Sequence, residues 1–174
     1  MSNFRMFLSR RAIFAALAFA CGLTGAASLT PELGVAENAS PFAKFLGNWR
    51  GSGEVIESDG TREHISCRAK YTASAGGDAV TQSLRCASDS YSFDIGLYLV
   101  ANGQTVQGDW QEYQRKVEGH VTGRLGDGQF DGNIAGASFS AETSARVSGR
   151  KQTISLRTKG AQVIKAEIAM TREN

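Results

Sequence analysis

The chain predicts an all-β fold of about ten antiparallel strands in up-and-down order, closed into a barrel behind a short N-terminal helix and tied by one disulfide, Cys67 to Cys86. Three observations carry this expectation. From Trp49 onward almost every segment alternates apolar and polar residues with a period of two. Asp-Gly, Asn-Gly and Gly-Gly pairs interrupt the alternation at intervals suited to hairpins. When positions are paired across those turns, the apolar faces match.

The N-terminus reads as an export signal over residues 1–26. Arg5, Arg10 and Arg11 precede the apolar run Ala12 to Leu23, and the small residues Thr24, Gly25, Ala26 and Ala27 follow. The run falls short of the roughly 20 residues that a spanning helix needs, so no membrane span is expected. Ser9-Arg10-Arg11-Ala12-Ile13-Phe14 resembles a twin-arginine motif, with Ile13 where Phe is usual; an ordinary secretory signal is the other reading. Both routes place the protein in the periplasm or outside the cell. All 17 acidic residues lie beyond the signal while three of the 19 basic ones leave with it, so the mature chain carries a net charge of −1. That balance lacks the basic excess a nucleic-acid partner requires. The two cysteines that remain, Cys67 and Cys86, form an even pair in an exported chain, the pattern of a structural disulfide.

Residues 27–40 lack periodicity and read as a flexible leader to a single barrel domain over 41–174. Ser40-Pro41, then Phe42, Phe45 and Leu46, with Gly47 as a stop, predict the short helix, whose apolar side closes one barrel end. Strands follow at approximately 49–57, 62–72, 78–87, 91–100, 105–112, 117–125, 129–134, 137–148, 151–158 and 162–172.

The registers are specific. Around Gly76-Gly77, Tyr71 faces Gln82, Ala69 faces Leu84 and Cys67 faces Cys86, which sets the two sulfurs within bridging range. Around Asp127-Gly128, Leu125 faces Phe130 and Val121 faces Ile134. Around Gly149-Arg150, Val147 faces Gln152 and Ala145 faces Ile154. With Ala101-Asn102-Gly103-Gln104 as the turn, Leu99 faces Val106, Leu97 faces Gly108 and Ile95 faces Trp110. The turns at Asp59-Gly60 and at Gly160 need three-residue loops to match faces. Closure removes the exposed edges and the bare apolar face of an open sheet; a two-sheet sandwich is the structural alternative. Arg62, His64, Ser66, Arg68 and Lys70 share one outward face, where a membrane barrel needs an apolar band.

Gly47-Asn48-Trp49 at the first strand, with Arg172 at the end of the last, resembles the Gly-x-Trp and terminal-Arg signature of calycins, the superfamily of lipocalins and fatty-acid-binding proteins. The resemblance implies that Trp49 closes the barrel floor and that Arg172 packs across it. The run Phe45 to Gly53 is similar to the opening strand of nitrobindin-like barrels, which have ten strands. Those barrels hold haem through a His near the C-terminus, and no His follows His120 here, so the likeness implies the fold without the haem.

No catalytic, metal or cofactor motif emerges. His64 and His120 fall on outward faces, and the calcium-like start at Asp127 ends on Ser138 where a bidentate Glu belongs. The inward face is rich in glycine and alanine, which either permit tight strand coiling or leave interior volume. Inward parity nominates Tyr71, Gln82, Leu84, Phe93, Ile95, Trp110, Glu112, Phe139, Leu156 and Ile164 as lining for a small, mostly apolar molecule. A filled barrel that engages a protein or an envelope polymer is the alternative. An enzyme working inside the barrel, with Glu112 and Tyr71 meeting at one point, is the least supported reading.

Overall fold

A computed structural model describes residues 40–174. The export signal, most of the leader and Cys21 lie outside the described residues. Ten strands follow in chain order: β1 (Gly47–Glu57), β2 (Arg62–Ala73), β3 (Ala79–Ala87), β4 (Ser92–Asn102), β5 (Thr105–Glu112), β6 (Val117–Gly126), β7 (Gln129–Gly136), β8 (Ser140–Ser148), β9 (Lys151–Lys159) and β10 (Val163–Arg172). Each pairs antiparallel with its chain neighbours, and β1 pairs with β10 from Trp49↔Arg172 to Glu57↔Val163, so the sheet closes into a barrel rather than a sandwich. Closure leaves no free edge to template pairing with another chain.

The hairpin registers follow the facing rule at most turns. Cys67 pairs with Cys86, Leu125 with Phe130 and Val147 with Gln152. The sulfurs of Cys67 and Cys86 are bonded, with Cα atoms 4.2 Å apart. Three residues separate β9 from β10, and three, Ser58 to Gly60, lie between Glu57 and Thr61 in the β1–β2 turn, where Glu57 N–H donates to the Thr61 carbonyl; Gly60 and Gly160 take positive φ.

Three expectations need correction. In the β4–β5 hairpin Ala101 pairs with Val106, Leu99 with Gly108, Leu97 with Trp110 and Ile95 with Glu112, two residues from the predicted register. Gly103 takes the first central turn position at φ 60°, the place a type II′ turn reserves for glycine. A shift of two keeps every side chain on its face, so matching faces does not detect it.

The segment read as a short helix is instead a pair of tight turns. Ala43 N–H donates to the Ser40 carbonyl and Phe45 N–H to that of Phe42, while Ser40 Oγ accepts from Phe42 N–H. So few residues before Gly47 cannot repay helix nucleation. Finally, β10 carries a bulge: Ile56 pairs with Lys165 and Glu57 with Val163, so Ile164 is skipped. The bulge reverses parity, turning Val163 inward and leaving Ile164 40% exposed. The Thr158 hydroxyl donates to the Val163 carbonyl that the interrupted ladder leaves over.

The inward glycines serve coiling. A Cβ on Gly108 would stand 1.9 Å from the Tyr98 carbonyl oxygen, and one on Gly51 equally close to that of Ala169. Aromatic rings cover several of them. Trp110 lies over Gly119 and donates its indole N–H to the Ala135 carbonyl at 3.1 Å, while Phe130 lies over Gly123 and Gly132. Backbone without side chains thus lets strands approach closely and gives rings a surface to lie on.

Candidate functional site

Alternation of the chain gives the barrel two different ends. The β2–β3, β4–β5, β6–β7 and β8–β9 hairpins share one end with the start of β1, and there the Ser40–Leu46 segment acts as a plug. Phe42 and Phe45 are buried beneath it. Lys44 Nζ meets Asp127 Oδ2 at 2.6 Å on the β6–β7 turn, and the Arg172 guanidinium donates to the Lys44 carbonyl. Trp49, wholly buried, donates its indole N–H to the Phe45 carbonyl at 2.7 Å, and Arg172 lies over its ring at 4.6 Å from the centroid.

Above this floor lies an interior cavity of about 390 Å³. Nine of the ten nominated residues line it: Tyr71, Gln82, Leu84, Phe93, Ile95, Trp110, Glu112, Phe139 and Leu156. Ile164 does not, because the bulge in β10 turns it to solvent and puts Val163 in its place. Among the described residues no glycine lines the cavity; apart from Ala145, Ala161 and Ala166 its walls are larger side chains.

At the opposite end, Tyr91, Arg115, Val117 and Gln162 line the cavity from loops and a strand start, and Val117 is solvent-exposed. This is the mouth. The Arg115 guanidinium lies over the Tyr91 ring at 4.9 Å and donates to the Ser92 carbonyl at 3.1 Å. Glu63, also near the mouth, accepts from the Ser88 and Ser90 hydroxyls at 2.6 Å each, which hold its carboxyl below the ordinary range.

No protein-family profile matches the chain, and no curated protein matches it in sequence. Solved structures do match in shape. Rv2717c from Mycobacterium tuberculosis superposes with a TM-score of 0.64 at 13% identity, over 78% of this chain and 99% of its own. A protein of unknown function in the DUF3598 family from Nostoc punctiforme gives 0.56 at 18% identity; the match covers 75% of this chain and 48% of that one, about half its length. The S-type phycobiliprotein lyase CPES from Guillardia theta gives 0.53 at 11% identity, over 76% of this chain and 90% of its own. All three are ten-stranded barrels. The fold is calycin-like.

A His-bound haem does not fit this calycin-like barrel. His64 and His120 are both exposed on the outer wall, and among the described residues no His, Cys or Met lines the cavity.

Glu112 and Tyr71 do not converge. Tyr71 pairs with Gly47 beside the floor, whereas Glu112 ends β5 at the mouth. Glu112 is only 5% exposed, and its oxygens accept from the N–H groups of Asp94 and Arg115. Burial is the largest single influence and raises its pKa. The backbone N–H groups of Asp94, Arg115 and Gln114, together with the Arg115 charge, outweigh it and hold the carboxyl below the ordinary glutamate value. A carboxylate so held braces the β5–β6 loop and is poorly suited to taking up a proton.

Because the folded state depresses this pKa, the stability it confers is present above the unfolded-state value and fades as pH falls through the folded one. Glu112→Gln is therefore expected to lose about 1–3 kcal/mol at pH 6 and much less at pH 3, read from urea denaturation at both values. Equal losses at the two pH values would refute the carboxylate's role.

Sequence reasoning did not nominate the mouth residues Tyr91, Arg115 and Gln162: Arg115 sits in the β5–β6 loop, where no periodicity reports direction, and Tyr91 and Gln162, read as the first residues of strands, lie in the loops just before β4 and β10. It placed Phe130, Ile134 and Ile154 inward by register without nominating them as lining.

Proposed function

We propose that this protein is an exported calycin-like carrier that binds a small, mostly apolar molecule inside its barrel, in the periplasm or outside the cell. One observation carries the reading: a cavity of about 390 Å³, walled by side chains such as Leu84, Ile95, Trp110 and Leu156, opens at the end away from the plug. The volume lies in the range of small-molecule sites. A filled interior, on which the alternative of a purely surface-acting barrel depended, is not what the side chains leave. The Cys67–Cys86 bridge suits an oxidising compartment, and the exposed Arg62, His64, Arg68 and Lys70 on β2 suit a water-facing wall.

The test uses the fluorescent apolar probe N-phenyl-1-naphthylamine. Saturable one-to-one binding with a blue shift is expected, and Leu156→Trp, which fills the cavity, weakens it about tenfold. Absence of saturable binding, or undiminished binding to the filled variant, would overturn the reading.

A further inference from the structure

The cavity is not uniformly apolar, and the exceptions divide between its ends. The charged residues that line it among those described, Glu112 and Arg115, both stand at the mouth. Near the floor the polar groups are neutral. Tyr71 and Gln82 are directly paired across β2 and β3, and both line the cavity although each is only 8% exposed.

The hydrogen bonding of these floor groups is incomplete. Gln152, 1% exposed, reaches across the barrel from β9 and donates to the Tyr71 hydroxyl at 2.8 Å. Tyr71 thereby accepts, and its own O–H remains to be given. Gln152 Oε1 is buried without a partner. Among the described residues, none hydrogen-bonds the Gln82 amide. Buried polar groups are ordinarily paired, so Tyr71 and Gln82, which line the cavity where Gln152 does not, call for a partner from outside the protein.

We propose that the floor pair Tyr71 and Gln82 seats an uncharged oxygen-bearing head, such as a ketone, ester or amide carbonyl, so that an elongated amphiphile enters head first and leaves its tail toward the mouth. The inference rests on the ligand-binding reading and adds the ligand's class and direction. The carbonyl oxygen accepts from the Tyr71 O–H and from the Gln82 amide. A carboxylate or ammonium head does not suit the floor: no lining residue there carries an opposite charge, and desolvating an unpaired ion is far more costly than desolvating a carbonyl. Arg172 supplies none, since neither it nor the Trp49 ring it covers lines the cavity. Burial drives the Tyr71 phenol well above its ordinary pKa, with the Gln152 bond opposing only in part, so it stays a neutral donor.

The experiment compares two ligands of equal chain length, 2-undecanone and n-undecane, as competitors of N-phenyl-1-naphthylamine. For Gln82→Leu the ketone should bind about fivefold to tenfold more weakly while the alkane binds as before. Tyr71→Phe provides a second variant with the same expected split, and thermal denaturation of both checks that the barrel is intact. Arg68→Ala, on the outer wall of β2 and away from the cavity, should change neither ligand. If ketone and alkane lose affinity by the same factor, or if the ketone responds to Arg115→Ala and not to Gln82→Leu, the head-first inference falls while the carrier reading stands. If the probe binds but neither ligand displaces it from wild-type protein, the head-first inference falls; if the probe itself does not bind, both fall.

Discussion

Replacing Trp49 with alanine should lower the unfolding free energy by about 3–5 kcal/mol, the largest loss expected from any single side chain here. The indole is fully buried where the plug, β1 and β10 meet. Its removal opens a void under the floor, leaves the Phe45 carbonyl without its donor and takes away the ring on which the Arg172 guanidinium lies. The Arg172 Nε is already buried without a partner, so that guanidinium depends heavily on the stacking. Trp49→Phe keeps a ring under the cation but not the N–H donor, and should recover more than half of the loss. Urea denaturation of both variants decides the matter. A loss below about 1 kcal/mol for the alanine variant would mean that the floor is not built around this residue.

The second large effect concerns the bridge. Cys67 and Cys86 are 19 residues apart, and opening a loop of that size should cost about 3 kcal/mol through the freedom returned to the unfolded chain. The double variant Cys67→Ala, Cys86→Ala should therefore melt well below the oxidised protein, and reductant should bring wild type most of the way to the variant. The same reductant should leave the variant unmoved. If wild type is equally stable with and without reductant, the bridge contributes nothing to the fold. Since β2 and β3 already pair along their length, the folded barrel should look alike in both forms, and the difference should appear in stability rather than in spectroscopic content.

The contrast between what the sequence discloses and what it conceals has a physical basis. Strand pairing was legible because burying one face of a two-residue repeat fixes parity, and parity survives errors of two. The β4–β5 hairpin demonstrates the point: Leu97 meets Trp110 and not Gly108, yet every nominated side chain on those strands still points inward. Parity fails only where a residue is added, as at the bulge that turns Ile164 outward and Val163 inward. No local signal in Gln162-Val163-Ile164-Lys165 marks the bulge, because it shows only in how the segment pairs with β1.

The glycines were ambiguous for a related reason. Whether Gly108 or Gly119 leaves a void or admits a neighbouring backbone depends on how close the next strand comes, and sequence does not carry that distance. The mouth was not nominated because it forms where strands give way to loops: Arg115 belongs to a turn that no repeat orients, and Tyr91 and Gln162, at the very starts of the predicted strands, fall one residue outside β4 and β10.

The plug also determines how the molecule can be held. Ser40 lies against the β2–β3 turn at Gly77, and Asn174 is bonded to Arg150 on the β8–β9 turn, so both ends of the described chain leave from the sealed side. A carrier protein, affinity tag or sensor surface joined at Asn174, or directly ahead of Ser40, would therefore present the aperture to the medium without standing in its path.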